Sequence, residues 1–148
     1  MPSYRNVETV VRVFEQPDAE AVVALWANVF PDDPPRNEPR AMLARKLSQD
    51  DGLVWLAESG GAIVGVVMAG YDGVRGWIYH LAVHADHRRK GIATALVRAA
   101  EAELAARGCP KVNLQFREVN AGLLAFYEGL GYSRDAVVSM GRALGGTR

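Results

Sequence analysis

The stretch from Trp77 to Arg98 constrains this chain most. Trp77-Ile-Tyr-His-Leu-Ala-Val83 reads as a strand, a short loop follows, and a long helix begins near Gly91. A helix N-terminus carries partial positive charge, so cations are disfavoured there by about 0.3–1 kcal/mol each. Yet the run into this helix is Arg88-Arg89-Lys90. Three cations at the wrong end of a dipole imply that an anion arrives as a ligand. Gly91 and Ala93 leave room for that anion to reach the backbone N–H groups.

The elements around this junction follow from periodicity and turn chemistry. Val10 to Phe14 is a β-branched and aromatic run, hence a first strand. Pro17 suits the first turn of a helix whose stripe is Val22, Leu25, Trp26, Val29 and Phe30. Prolines 31, 34, 35 and 39 then break the chain, and a second helix is expected from Pro39 to Leu47. Leu53 to Glu58 and Ala62 to Tyr71 read as strands joined by a tight turn at Ser59-Gly60-Gly61, and Asp72-Gly73 reads as a hairpin turn. Three successive antiparallel strands thus lead into the basic junction. Its helix should bury Ile92, Leu96, Ala99, Ala100 and Leu104 and stop at Gly108 before Pro110. Val112 to Phe116 is a further strand, Asn120 an N-cap for a helix through Leu130, and Tyr132 to Leu144 is expected to hold a last strand or hairpin centred on Val137-Val138. The order describes one mixed α+β (α/β) domain over residues 1–148, with the last residues frayed.

Composition narrows the function classes. Seventeen Lys and Arg balance seventeen Asp and Glu, and nucleic-acid binders usually show a basic excess. A local basic cluster in a neutral chain points to a small anion instead. The single cysteine, Cys109, excludes an internal disulfide and offers no metal-ligand pair, which fits a cytoplasmic setting. No apolar run approaches the roughly 20 residues that span a bilayer, so no membrane partner is expected.

Arg88-x-x-Gly91-x-Ala93, between a strand and a helix, resembles the acetyl-CoA motif of the GCN5-related N-acetyltransferases (GNAT superfamily). Leu81-Ala82-Val83-His84 is similar to the family's cofactor strand, and Asn120 through Phe126-Tyr127 to Gly131-Tyr132 resembles its second motif. Gly70-Tyr-Asp-Gly73 with Arg75-Gly76, and Arg107-Gly-Cys-Pro-Lys111, look like the small bacterial YpeA-type branch. The resemblance implies a GNAT fold, a central, mostly antiparallel twisted sheet flanked by helices, and direct acetyl transfer from acetyl-CoA to a primary amine of a small molecule, amino acid or peptide.

The resemblance also implies roles. The CoA pyrophosphate would sit on the N–H groups of Arg89, Lys90, Gly91, Ile92, Ala93 and Thr94, with charge from Arg88 and Lys90. The pantetheine arm would pair with Leu81 and Val83, and an N–H near Leu81 or Ala82 would face the thioester oxygen. Tyr127 holds the family's position for the acid that meets the leaving thiolate; packing in the core is the plain alternative. Asn120 would cap its helix and touch the cofactor. The general base is open: Gln115 and Trp77 stand where relatives carry Glu. A water relay or an amine arriving neutral is the favoured route, with Glu118, Tyr79 and His80 as side-chain alternatives.

No metal is expected, because His80, His84 and His87 lack partners at ligand spacing. Cys109 reads as an inert thiol. The resemblance implies that the acceptor enters opposite the cofactor, over the first two helices and their loop from Phe30 to Arg40, where Asp32, Asp33 and Glu38 suit a cationic amine and Arg36 and Arg40 a carboxylate. A plain solvated loop explains the same residues. The rival function is a catalytically weak GNAT-like domain that binds or senses acyl-CoA. Monomer and homodimer both remain open.

Overall fold

The computed structural model describes residues 9–117 and 120–145. The chain divides into two compact units, Met1–Leu114 and Gln115–Arg148. Glu118 and the end of the tail lie outside the described residues.

The first unit holds a five-stranded sheet in the order β1-β2-β3-β4-β5. Its strands are β1 (Thr9–Val13), β2 (Val54–Ser59), β3 (Ala62–Tyr71), β4 (Gly76–Val83) and β5 (Val112–Leu114). The first four pair antiparallel and β5 joins β4 in parallel. Helices α1 (Ala19–Val29) and α2 (Pro39–Leu47) cover one face, and α3 (Ile92–Ala106) covers the other. That coverage explains the unbroken buried runs Val54–Ala57 and Val64–Ala69 where a half-exposed sheet would alternate.

Turn chemistry sets the register. Gly60 and Gly61 both have positive φ, which a two-residue primed hairpin turn requires, and Ser59 pairs with Ala62. At the next turn the Asp72 carboxylate accepts from the N–H groups of Val74 and Arg75 at 2.8 and 2.9 Å, and Tyr71 pairs with Gly76. Pro17 starts a short 3-10 turn, Gln16–Asp18, ahead of α1. One layer of the core joins Val22, Leu25 and Trp26 of α1 to Met42 and Leu43 of α2 and to Val54, Leu56, Val66, Met68 and Ala82 of the sheet. Each large apolar side chain in it contributes roughly 1.5–3 kcal/mol on burial. On the other face α3 buries Val97 with Ile92, Leu96, Ala100 and Leu104, while Ala99 is half-buried.

Helix α4 (Ala121–Gly129) is the regular element described in the second unit. The expected last strand is not formed: Tyr132 to Leu144 takes no strand conformation, and Val137, Val138, Met140 and Leu144 are exposed. A β-branched run becomes a strand only where a neighbouring edge takes up its N–H and C=O groups. The second unit offers no such edge among its described residues.

Candidate functional site at the β4–α3 junction

Strand β4 changes character halfway along. Val66 pairs with Ala82 but Met68 pairs with Tyr79, so His80 and Leu81 together oppose Val67. This is a β-bulge, and His80 carries it with φ 48°. The bulge turns the His80 carbonyl out of the ladder to accept from the buried Trp26 indole Nε1 at 3.1 Å. In a trans peptide the next N–H points the opposite way, so the Leu81 N–H is directed away from α1. The pairing of β5 with β4 ends at Ile78, and β4 runs on through Val83 without a partner from β5.

Beyond Val83 the chain makes a 3-10 turn, Ala85–His87, in which His84 Nδ1 accepts from the Asp86 N–H at 3.1 Å. The His84 and His87 rings meet edge-on. Arg88 donates through Nε to the Val83 carbonyl at 3.2 Å, which ties the loop back to the strand. Arg89 and Gly91 both take left-handed φ, 64° and 80°, and Gly91 is the N-cap of α3.

That helix start differs from the others. Glu38 caps α2 by accepting from Arg40 and Ala41 at 3.2 and 2.9 Å, Asn120 caps α4 by accepting from Leu123 at 3.2 Å, and α1 has Glu20 in its first turn. Helix α3 has neither a capping side chain nor a first-turn acid. The terminal nitrogens of Arg88, and all of the Arg89 and Lys90 side chains, pair with no carboxylate among the described residues. Uncapped N–H groups and unneutralised cations therefore coincide, as a site for a polyanion requires.

In the second unit Tyr127 is buried, stacked with Phe116 at 5.7 Å and edge-on to Phe126 and Tyr132. Burial pushes its phenol up to about 12. Its hydroxyl meets no hydrogen-bond partner among the described residues. Gln115 donates through Nε2 to the Ser139 hydroxyl at 2.7 Å. Asn120 is accounted for by capping.

Several candidate side chains have other employment. Burial and the Asp72 carboxylate raise the Tyr79 phenol above its ordinary value. Cys109 donates its thiol to the Lys111 carbonyl and packs where a side chain on Gly76 would lie. In the loop after α1, Asp33 pairs with His80, Glu38 caps α2, and Arg40 forms an ion pair with Glu20 at 2.6 Å. Much of the charge assigned to acceptor binding is thus used within the fold. The bulge and the Asp33–His80 contact were invisible in the sequence, because each joins residues far apart in the chain.

Residues 19–132 match the acetyltransferase (GNAT) family. The chain belongs to that family, and is an acetyltransferase by class. An acetyltransferase of Yersinia enterocolitica is 45% identical over 134 residues, covering 90% of this chain and 94% of that one. An acetyltransferase of Pectobacterium atrosepticum is also 45% identical over the same shares. Among solved structures, an aminoglycoside N-acetyltransferase in complex with CoA matches with a TM-score of 0.80 at 18% identity, over 97% of this chain and 99% of that one. A ribosomal-protein-alanine N-acetyltransferase from Brucella melitensis matches with a TM-score of 0.69 at 26% identity, over 92% and 99%.

Proposed function

We propose that the protein transfers an acetyl group from acetyl-CoA to a primary amine by direct attack on the thioester. The observation that carries this reading is the uncapped start of α3 beside Arg88, Arg89 and Lys90. The pyrophosphate lies on the N–H groups from Arg89 to Thr94, Ile92 and Ala93 among them. The pantetheine arm follows the edge of β4 at Leu81, Ala82 and Val83, where β5 has left the ladder. Asn120, which caps α4, also touches the cofactor in this reading. Both compact units belong to one transferase domain. The neighbour crystallised with CoA and the named acetyltransferase relatives support this choice of donor.

The chemistry then follows from the bulge and from Tyr127. Attack on a thioester creates an oxyanion, and a fixed N–H donor aimed at it lowers the barrier. The Leu81 N–H, set by the bulge, is that donor. When the C–S bond breaks, sulfur leaves as a thiolate. A phenol at about 12 is a weaker acid than an alkyl thiol, so complete proton transfer from Tyr127 to the leaving sulfur is uphill. Tyr127 therefore stabilises the sulfur by donating a hydrogen bond, and the acceptor amine supplies the proton that remains on CoA. A free-thiol assay with acetyl-CoA and a panel of primary amines tests this: one or more amines should release thiol, and tight CoA binding with no release from any amine would leave an acyl-CoA sensor instead.

A further inference from the structure

We infer that His80, held by Asp33, is the general base that deprotonates the acceptor amine, with His80 a catalytic residue and Asp33 its positioning residue. The inference rests on the transferase reading above and supplies the base that Gln115 and Trp77 cannot. His80 Nε2 lies 2.9 Å from Asp33 Oδ2, and the two side chains are 20% and 19% exposed. They are largely, but not fully, screened from bulk water. The ring is edge-on to Trp26 and Phe30 at 5.9 and 5.1 Å, and Trp26 also holds the His80 carbonyl. Ring, backbone and carboxylate are thereby held together.

The arrangement selects a tautomer. A carboxylate at Nε2 favours the proton on that nitrogen, which leaves the lone pair on Nδ1. Nδ1 has no hydrogen-bond partner among the described residues. Of the groups packed against the ring, Trp26 and Phe30 of α1 and its C-cap are uncharged, Val67 lies opposite on β3, and Asp33 bears the charge. The base also sits on the bulge residue itself, one peptide away from the proposed oxyanion donor at Leu81. His80 is also one of the non-glycine residues with positive φ, 48°, a conformation that clusters at functional sites.

The step balances as follows. His80 Nδ1 takes one proton from the acceptor ammonium, and the freed lone pair forms the N–C bond to the thioester carbon. The C–S bond then breaks with its electron pair going to sulfur. A second amine proton ends on that sulfur, and the proton on His80 returns to water. The products are the amide, CoA thiol and one proton.

Four measurements test the pair. With an alkylamine acceptor, His80→Asn should lower kcat/KM by about 100-fold or more and remove the acidic limb of the pH profile. With an arylamine, already neutral at pH 7, the loss should be under about tenfold. Asp33→Asn should lower the alkylamine rate at least about tenfold and shift that limb while CoA affinity stays constant. Equal losses with both amines, or an unchanged pH profile, would overturn the inference. Absence of thiol release by the unmutated protein with every amine would overturn the transferase reading instead. The pair is then decided by 15N NMR of the imidazole: an Nε2–H tautomer that Asp33→Asn disturbs supports it, and a dominant Nδ1–H tautomer refutes it.

Discussion

Tyr127 and Trp26 show how single side chains combine packing with chemistry. Tyr127 lies among Phe116, Phe126 and Tyr132 with its phenol raised to about 12 by burial. Tyr127→Phe should keep the packing and lower kcat by about 100-fold in the thiol-release assay, with KM for acetyl-CoA nearly unchanged. The same residue makes a prediction about pH. An unfolded tyrosine ionises near pH 10 while the folded one holds its proton to about 12, so the unfolded state binds fewer protons between them. Stability is whole below pH 10 and falls as pH rises through that window, by up to about 2–3 kcal/mol. Urea melts at pH 9 and 11.5 should show part of that loss disappearing in Tyr127→Phe. Trp26→Phe removes the indole donor to the His80 carbonyl. It should destabilise by about 1–3 kcal/mol in urea melts and reduce turnover by more than affinity for CoA, because the bulge loses its anchor.

At the scale of elements, the site depends on how closely α3 lies on the sheet. A methyl on Gly65 would come within 2.9 Å of Leu96 Cδ1 and 3.2 Å of Ile92 Cγ2. Gly65→Val should destabilise by roughly 1–3 kcal/mol and weaken acetyl-CoA binding in isothermal titration, since Ile92 opens the helix whose N-terminus is the proposed phosphate site. Strand β1 is fastened differently. Arg12 makes a two-pronged pair with Asp18, both bonds 2.9 Å, and a third bond to Glu58. Asp18 is held below its ordinary value first by the Arg12 hydrogen bonds, then by the Glu15 N–H. A depressed carboxylate adds stability above its unfolded pKa of ~3.9 and loses it as pH falls through the folded value. Asp18→Asn should therefore cost about 1–2 kcal/mol at pH 7 and much less near pH 2, measured by chemical denaturation.

At the scale of the whole molecule, binding and folding are linked. Acetyl-CoA at a hundred times its dissociation constant should add about 2.7 kcal/mol, which raises Tm by roughly 5–10 °C for a chain of this size. ADP, carrying the pyrophosphate without the arm, should give a smaller shift. No shift with millimolar acetyl-CoA would remove both the transferase and the sensor readings.

Elements with a local cause were legible in the order of residues alone. Gly60-Gly61 and Asp72-Gly73 set two turns, apolar periodicity set α1 and α3, and Arg88 to Gly91 marked a helix start in need of an anion. These follow from backbone sterics, capping and charge within a few residues of each other. Tertiary structure decided the rest. The Val137-Val138 run has strand propensity, yet the described residues of its own unit supply no edge to pair with. The bulge residue His80 is held by an indole on α1 and a carboxylate in the following loop, 54 and 47 residues away in the chain. Propensity and spacing carry no record of such contacts. The helix start proposed to accept the anion was therefore legible, while the pair proposed to act on the acceptor became visible only once the chain had closed on itself.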